Sequence, residues 1–113
     1  MIKVLVQRLS NENISFFSVS GHANYAGKGQ DIVCAGVSAV VFGSVNSIMA
    51  LTKYPVKVEQ AAKDGGFFSC EIPKSEGDAY EKAQLLLEGM LVSLQTIERD
   101  YGSYIRVKEK ISM

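Results

Sequence analysis

Ile2, Val4 and Val6 alternate with Lys3 and Gln7, a period of two that predicts a strand over residues 2–9. Asn11-Glu12-Asn13 reads as a turn, because asparagine tolerates left-handed and Asx-turn geometry. Ile14 to Ser20, with Phe16, Phe17 and Val19, predicts a second strand pairing back antiparallel, ended by Gly21. The next periodic segment is an apolar run without a charge, from Ile32 to Thr52. Asp31 is a suitable cap for it, because its carboxylate can accept the free N–H groups of the first turn. The predicted helix runs to about Leu51, and Pro55 stops any continuation.

Val56-Lys57-Val58-Glu59 alternates and predicts a third strand, Lys63-Asp64-Gly65-Gly66 a turn, and Phe67 to Ile72 a fourth strand completing a second hairpin. Pro73 and residues 74–77 break the pattern, and Asp78 with Glu81 matches a capping box. Leu86, Leu87, Met90, Leu91, Leu94, Ile97 and Tyr101 then recur at three- and four-residue spacing, predicting an amphipathic helix packed on a sheet and closed by Gly102. Ile105-Arg106-Val107 is read as a short edge strand before a frayed basic tail. The order ββαββαβ gives an α+β fold, a mostly antiparallel sheet covered by two helices, the first long and apolar. No repeat or linker divides the 113 residues, so residues 1–113 are expected to form one domain.

Composition narrows the function. With 47% hydrophobic residues and a formal net charge of zero, the chain reads as a packed globule, and the bulk electrostatic case for nucleic acid is missing. Two cysteines and one histidine do not supply a zinc set at a familiar spacing, so neither metal nor cofactor is expected. The stretch Met1 to Arg8 has no uninterrupted apolar core before a small-residue cleavage site, so no secretory leader is expected and the reducing cytoplasm is the working compartment. The uncharged run Ile32 to Thr52 is long enough for a membrane span. Ser38, Ser44, Asn46, Ser47, Thr52, Gly36 and Gly43 make it too polar and small for a lone span, so no membrane is expected. A helix apolar nearly all round is instead the buried centre of a domain, or is shared with a second subunit.

The chemistry concentrates between residues 21 and 34. His22, the sole histidine, follows Gly21, and Cys34 lies beyond a loop holding Gly27 and Gly29, a composition suited to movement. With Asp31 as cap, Cys34 is the third helical residue, where the helix dipole and free backbone N–H groups favour a thiolate. His22 could take the thiol proton and return it to a leaving amine, while amides near Cys34 hold the oxyanion. Asp31 could orient His22, Ser38 lies one turn after Cys34, and Lys28 and Tyr25 could meet a substrate from the loop. Taken singly, each has a plainer reading: a strand-end histidine is commonly solvated, a cysteine on an apolar helix is commonly core, and a helical serine commonly bonds a backbone carbonyl. Cys70, among Phe67, Phe68 and Ile72, reads as core.

Two other classes stay open on residues alone. Strand, then Gly21…Gly27-Lys28-Gly29, then helix has the outline of a phosphate-binding loop, but the first spacing is one residue too long and Gly29 replaces the magnesium-binding hydroxyl. The third reading is a non-catalytic, dimeric or ribosome-associated module using the apolar helix as its interface.

Gly21-His22, followed by the loop and Asp31-Ile32-Val33-Cys34-Ala35-Gly36-Val37-Ser38-Ala39, resembles the ribosomal-processing cysteine protease (Prp) family of bacteria. The likeness extends to Gly43-Ser44-Val45-Asn46 and Leu91-Val92-Ser93-Leu94-Gln95-Thr96-Ile97. The resemblance implies that Cys34 and His22 are the catalytic pair, that Gly21, Asp31 and Ser38 belong to the site, and that the chain forms homodimers. It also implies the substrate: a large-subunit ribosomal protein precursor whose short N-terminal extension is removed, with aromatic residues just before the cut.

Overall fold

In a computed structural model, which describes residues 1–27, 29–61 and 66–112, the elements follow the predicted order. They are β1 (Ile2–Arg8), β2 (Ile14–Ser20), α1 (Ile32–Ser47), β3 (Lys57–Gln60), β4 (Phe67–Glu71), α2 (Asp78–Tyr101) and β5 (Ile105–Ile111). The five strands form one mixed sheet in the order β3-β4-β2-β1-β5. Every neighbouring pair is antiparallel except β1 and β5, which run parallel from Ile2 opposite Ile105 to Arg8 opposite Ile111. The tail expected to fray is therefore paired strand, and Ile105-Arg106-Val107 is only its first part.

The alternation in β1 does what it predicts: Ile2, Val4 and Val6 are buried while Lys3 is exposed. In β2 the alternation is broken. The register slips between Gln7 and Arg8, leaving Ser15 as an extra residue, and this bulge lets Ile14 and Phe17, three apart, both enter the core. The turn before it uses both of its predicted devices, with the roles shifted. Asn11 accepts the Asn13 N–H through its side chain, but Glu12 takes the left-handed conformation, φ 73°. The predicted turn over 63–66 falls largely outside the described residues.

Both helices contribute to the same core as the sheet residues Val4, Val6, Phe17, Phe68, Cys70 and Ile105. On α2 the apolar stripe is buried at Leu87, Met90, Leu91 and Leu94. Gln84 of the same helix is buried as well, its amide oxygen taking the Ile14 N–H and its amide nitrogen donating to the Ile14 carbonyl, so the bulged strand start is satisfied. The cap of α2 is Gly77 at φ 102°, not Asp78. Asp78 and Glu81 instead sit within the first turn, where their charges meet the positive helix end, and Asp78 pairs with Lys82 at 3.0 Å.

Helix α1 is not the buried centre of the domain. It buries a single stripe, Val33, Val37, Val41 and Val45, and continues through a π-helical turn, Ile48–Thr52, to a left-handed Lys53. Outside that stripe Ile32, Phe42, Met49 and Leu51 are exposed, the last at 73%. The segment Ile32–Thr52 is 21 residues long and apolar enough to cross a membrane by length and composition. Its buried valine stripe is the pattern of a helix lying on a sheet.

Candidate active site

Chain geometry brings the strand end and the helix start together. Gly21 leaves β2 at φ 84°, and a Cβ there would lie 2.4 Å from the Met1 carbonyl oxygen, so only glycine allows the strand end to pass the N-terminus. Its N–H donates to the Gly66 carbonyl at 2.9 Å. His22 follows, exposed, then Ala23, only 3% exposed, and Asn24 in a left-handed conformation, φ 56°.

The cap predicted at Asp31 is present. Its Oδ1 accepts the N–H groups of Val33 and Cys34, both at 3.0 Å, and Cys34 is the third residue of α1. Its Oδ2 accepts the Tyr25 N–H at 3.0 Å, tying the loop to the helix start. Partial desolvation pushes the Asp31 carboxyl upward. Hydrogen bonds from Cys34, Tyr25 and Ala26 outweigh it and hold the carboxyl below its ordinary 3.8. The loop is held from the other side by Tyr25, whose ring meets Tyr104 edge-on at 5.0 Å and Tyr101 at 6.0 Å.

His22 and Cys34 line the same hollow. It is an open cavity of ≈ 710 Å³ whose wall also includes Asn24, Gln30, Asp31 and Ser38. A second, narrower hollow of ≈ 120 Å³ meets the first at His22, Cys34 and Ser38, and continues past Val41, Phe42 and Phe68. Phe42 and Phe68 meet edge-on there at 5.0 Å. A peptide backbone laid in the open cavity would thus have an apolar recess beside the sulfur. Among the described residues no hydrogen bond joins His22 to Cys34. The sulfur instead receives the Ala23 N–H at 3.4 Å.

All five residues expected at the site therefore converge: Cys34, His22, Asp31 and Ser38 on the cavity walls, and Gly21 at the turn that delivers His22. Two finer expectations change. Asp31 spends its oxygens on backbone amides and on the Cys34 thiol, with no hydrogen bond to His22 among the described residues, so it anchors the loop rather than the imidazole. The Val33 and Cys34 amides, expected to hold an oxyanion, already donate to Asp31. The same occupancy removes the phosphate-loop reading, because a carboxylate fills the helix-start anion site and would repel a phosphate. Lys28 lies outside the described residues. The other thiol, Cys70, is fully buried, and burial pushes it up to about 12, as expected of a core cysteine.

Comparison with known proteins decides the class. The family model for cysteine protease Prp matches residues 1–106. The chain belongs to the cysteine protease Prp family. It is accordingly a cysteine peptidase. It is 48% identical over 112 residues to the ribosomal processing cysteine protease Prp of Bacillus subtilis, covering 98% of this chain and 99% of that one. It is 46% identical over 92 residues to the protein of the same name from Staphylococcus aureus strain Mu50, covering 81% and 83%. Its fold is similar to that of the S. aureus Prp solved with a covalently linked product peptide, with a TM-score of 0.89 and 41% identity over 97% of this chain and all of that one. Another S. aureus Prp structure, holding a substrate peptide, gives a TM-score of 0.81 at 40% identity, again over 97% and 100%.

Proposed function

We propose that this peptidase removes the N-terminal extension of a large-subunit ribosomal protein precursor, with Cys34 as nucleophile and His22 as its base and acid. The observation that carries the proposal is the meeting of the sole histidine with a helix-start cysteine on one cavity wall, in a chain whose 46–48% identical relatives are named ribosomal processing cysteine proteases.

The chemistry follows from the parts. His22 takes the thiol proton, the Cys34 sulfur bonds to the scissile carbonyl carbon, and the carbonyl π pair moves onto oxygen. The intermediate collapses as the C–N bond breaks, with His22 giving its proton to the departing amine. A thioester remains on Cys34; water, losing a proton to His22, attacks it, and the thiolate leaves. A covalent peptide adduct is a species such a cycle produces, and one S. aureus relative was solved with a covalently linked product peptide. The loop after His22 closes on the bound peptide and excludes water, while the imidazole turns to the sulfur about its own side-chain bonds. Ser38, on the cavity wall one turn from Cys34, supports the bound peptide.

The exposed apolar residues of the first long helix fit a homodimer, since Ile32, Met49 and Leu51 would otherwise face water. The site works in the reducing cytoplasm, which keeps the thiol free. The test is incubation of the wild type and Cys34→Ala with the ribosomal protein precursor, reading the released extension by mass. Cleavage by the wild type alone supports the proposal, and undiminished cleavage by the variant ends it.

A further inference from the structure

We infer that the backbone N–H of Ala23, rather than the amides at the start of α1, holds the oxyanion in this peptidase. The inference rests on the reading of Cys34 as nucleophile. The amides flanking the sulfur are spoken for: Val33 and Cys34 donate to the Asp31 carboxylate and Ala35 to the Asp31 carbonyl, each at 3.0 Å. Ala23 approaches from the opposite strand end, and its N–H points at Sγ from 3.4 Å.

Three features make this amide suited to the task. Its partner is a sulfur, a weak acceptor, so the hydrogen bond is far below full strength while the site rests. When the S–C bond forms, negative charge appears on the oxygen of the attacked carbon, immediately beside that sulfur. A donor aimed there gains most in the transition state, which is the condition for accelerating the step. Its direction is also fixed: Gly21 at φ 84° and Asn24 at φ 56° bracket His22-Ala23, and the Ala23 side chain is 3% exposed. Finally, the amide belongs to the residue after His22, so one dipeptide supplies both the proton carrier and the charge stabiliser.

The test replaces the Ala23 amide by an ester, with lactate introduced at that position by semisynthesis. This removes one N–H whose partner is the sulfur, so the unfolding midpoint should stay close to wild type. The expected result is a kcat lowered about 100- to 1,000-fold with KM little changed. Wild-type kcat in the ester protein overturns the inference, whereas an active Cys34→Ala overturns the reading beneath it. A measurement on the unaltered protein stands beside these, using a peptide ending in phenylalaninal, whose aldehyde carbon adds to the thiol and leaves its oxygen in the oxyanion position. The inference requires the Ala23 amide proton to move downfield in the adduct. Shifts confined to Ile32, Val33 or Cys34, with Ala23 unmoved, or no adduct shift at Ala23 at all, contradict it.

Discussion

The Tyr25 amide donates to Asp31 Oδ2 at 3.0 Å, while the other oxygen of the same carboxylate caps the helix that starts with Ile32-Val33-Cys34. One side chain thus sets two things at once: the direction of the helix that presents Cys34, and the position of the Tyr25 backbone beside it.

Asp31→Ala should lose both, lowering the unfolding midpoint and kcat/KM together, whereas Asp31→Asn keeps one accepting oxygen and should fall between. The pH dependence has a fixed sign. The folded carboxyl lies below its ordinary 3.8, so its contribution to stability is complete above that value and is lost as pH falls toward the folded pKa. The stability gap between wild type and Asp31→Asn should therefore be constant near neutrality and shrink below about pH 4 in chemical denaturation. A gap that widens on acidification contradicts the capping account.

Gly21→Ala should damage the fold before the chemistry. The residue sits at φ 84°, and its new methyl would meet the Met1 carbonyl oxygen at 2.4 Å, a backbone atom with little room to yield. The strained backbone alone costs about 1–3 kcal/mol. Thermal unfolding should drop by roughly 5 °C or more. An unchanged midpoint with lost cleavage would move Gly21 from a framework role to a catalytic one.

What the sequence reveals varies by residue. Local signals were legible: Asp31 as cap, the α2 stripe from Leu87 to Leu94, and the alternation of β1 all depend on neighbours within a few positions. What escaped depends on distant partners. The parallel pairing of β5 with β1 joins residues about a hundred positions apart, and its charged segment Arg106 to Lys110 reads as tail when taken alone. Gly77 displaced Asp78 as cap because the chain arrives there at φ 102°, which glycine alone adopts easily. In the candidate site, the gathering of His22, Asp31, Cys34 and Ser38 around one hollow was legible and their hydrogen-bond partners were not. Asp31 consumed the amides expected for the oxyanion, and the Ala23 N–H, carried by a side chain with no chemistry, gave no signal in the sequence.

Tyr25→Ala should loosen the loop while leaving the domain intact. Its edge-on contacts with Tyr104 and Tyr101 contribute about 0.5–1.5 kcal/mol, which corresponds to a fall in kcat/KM of about tenfold at most. Tyr25→Phe keeps the ring and should behave as wild type. Equal losses in the two variants would point to the hydroxyl and away from the ring contacts.

Cys70 should be silent. Its thiol is buried and pushed up to about 12, so iodoacetamide at neutral pH should label one cysteine, Cys34, in the native protein and two after denaturation. Cys70→Ala should cost about 1–2 kcal/mol of stability and leave cleavage unchanged. Loss of cleavage in a folded Cys70→Ala would refute this assignment.

The most direct measurement of the central claim is an acid quench of the peptidase during turnover of the ribosomal protein precursor, followed by peptide mapping by mass spectrometry. The expected result is a substrate acyl group joined as a thioester to the peptide that contains Cys34, and its absence from Cys34→Ala. Turnover at the full rate with the acyl group on another residue, or with the Cys34 peptide never modified at any quench time, would contradict it.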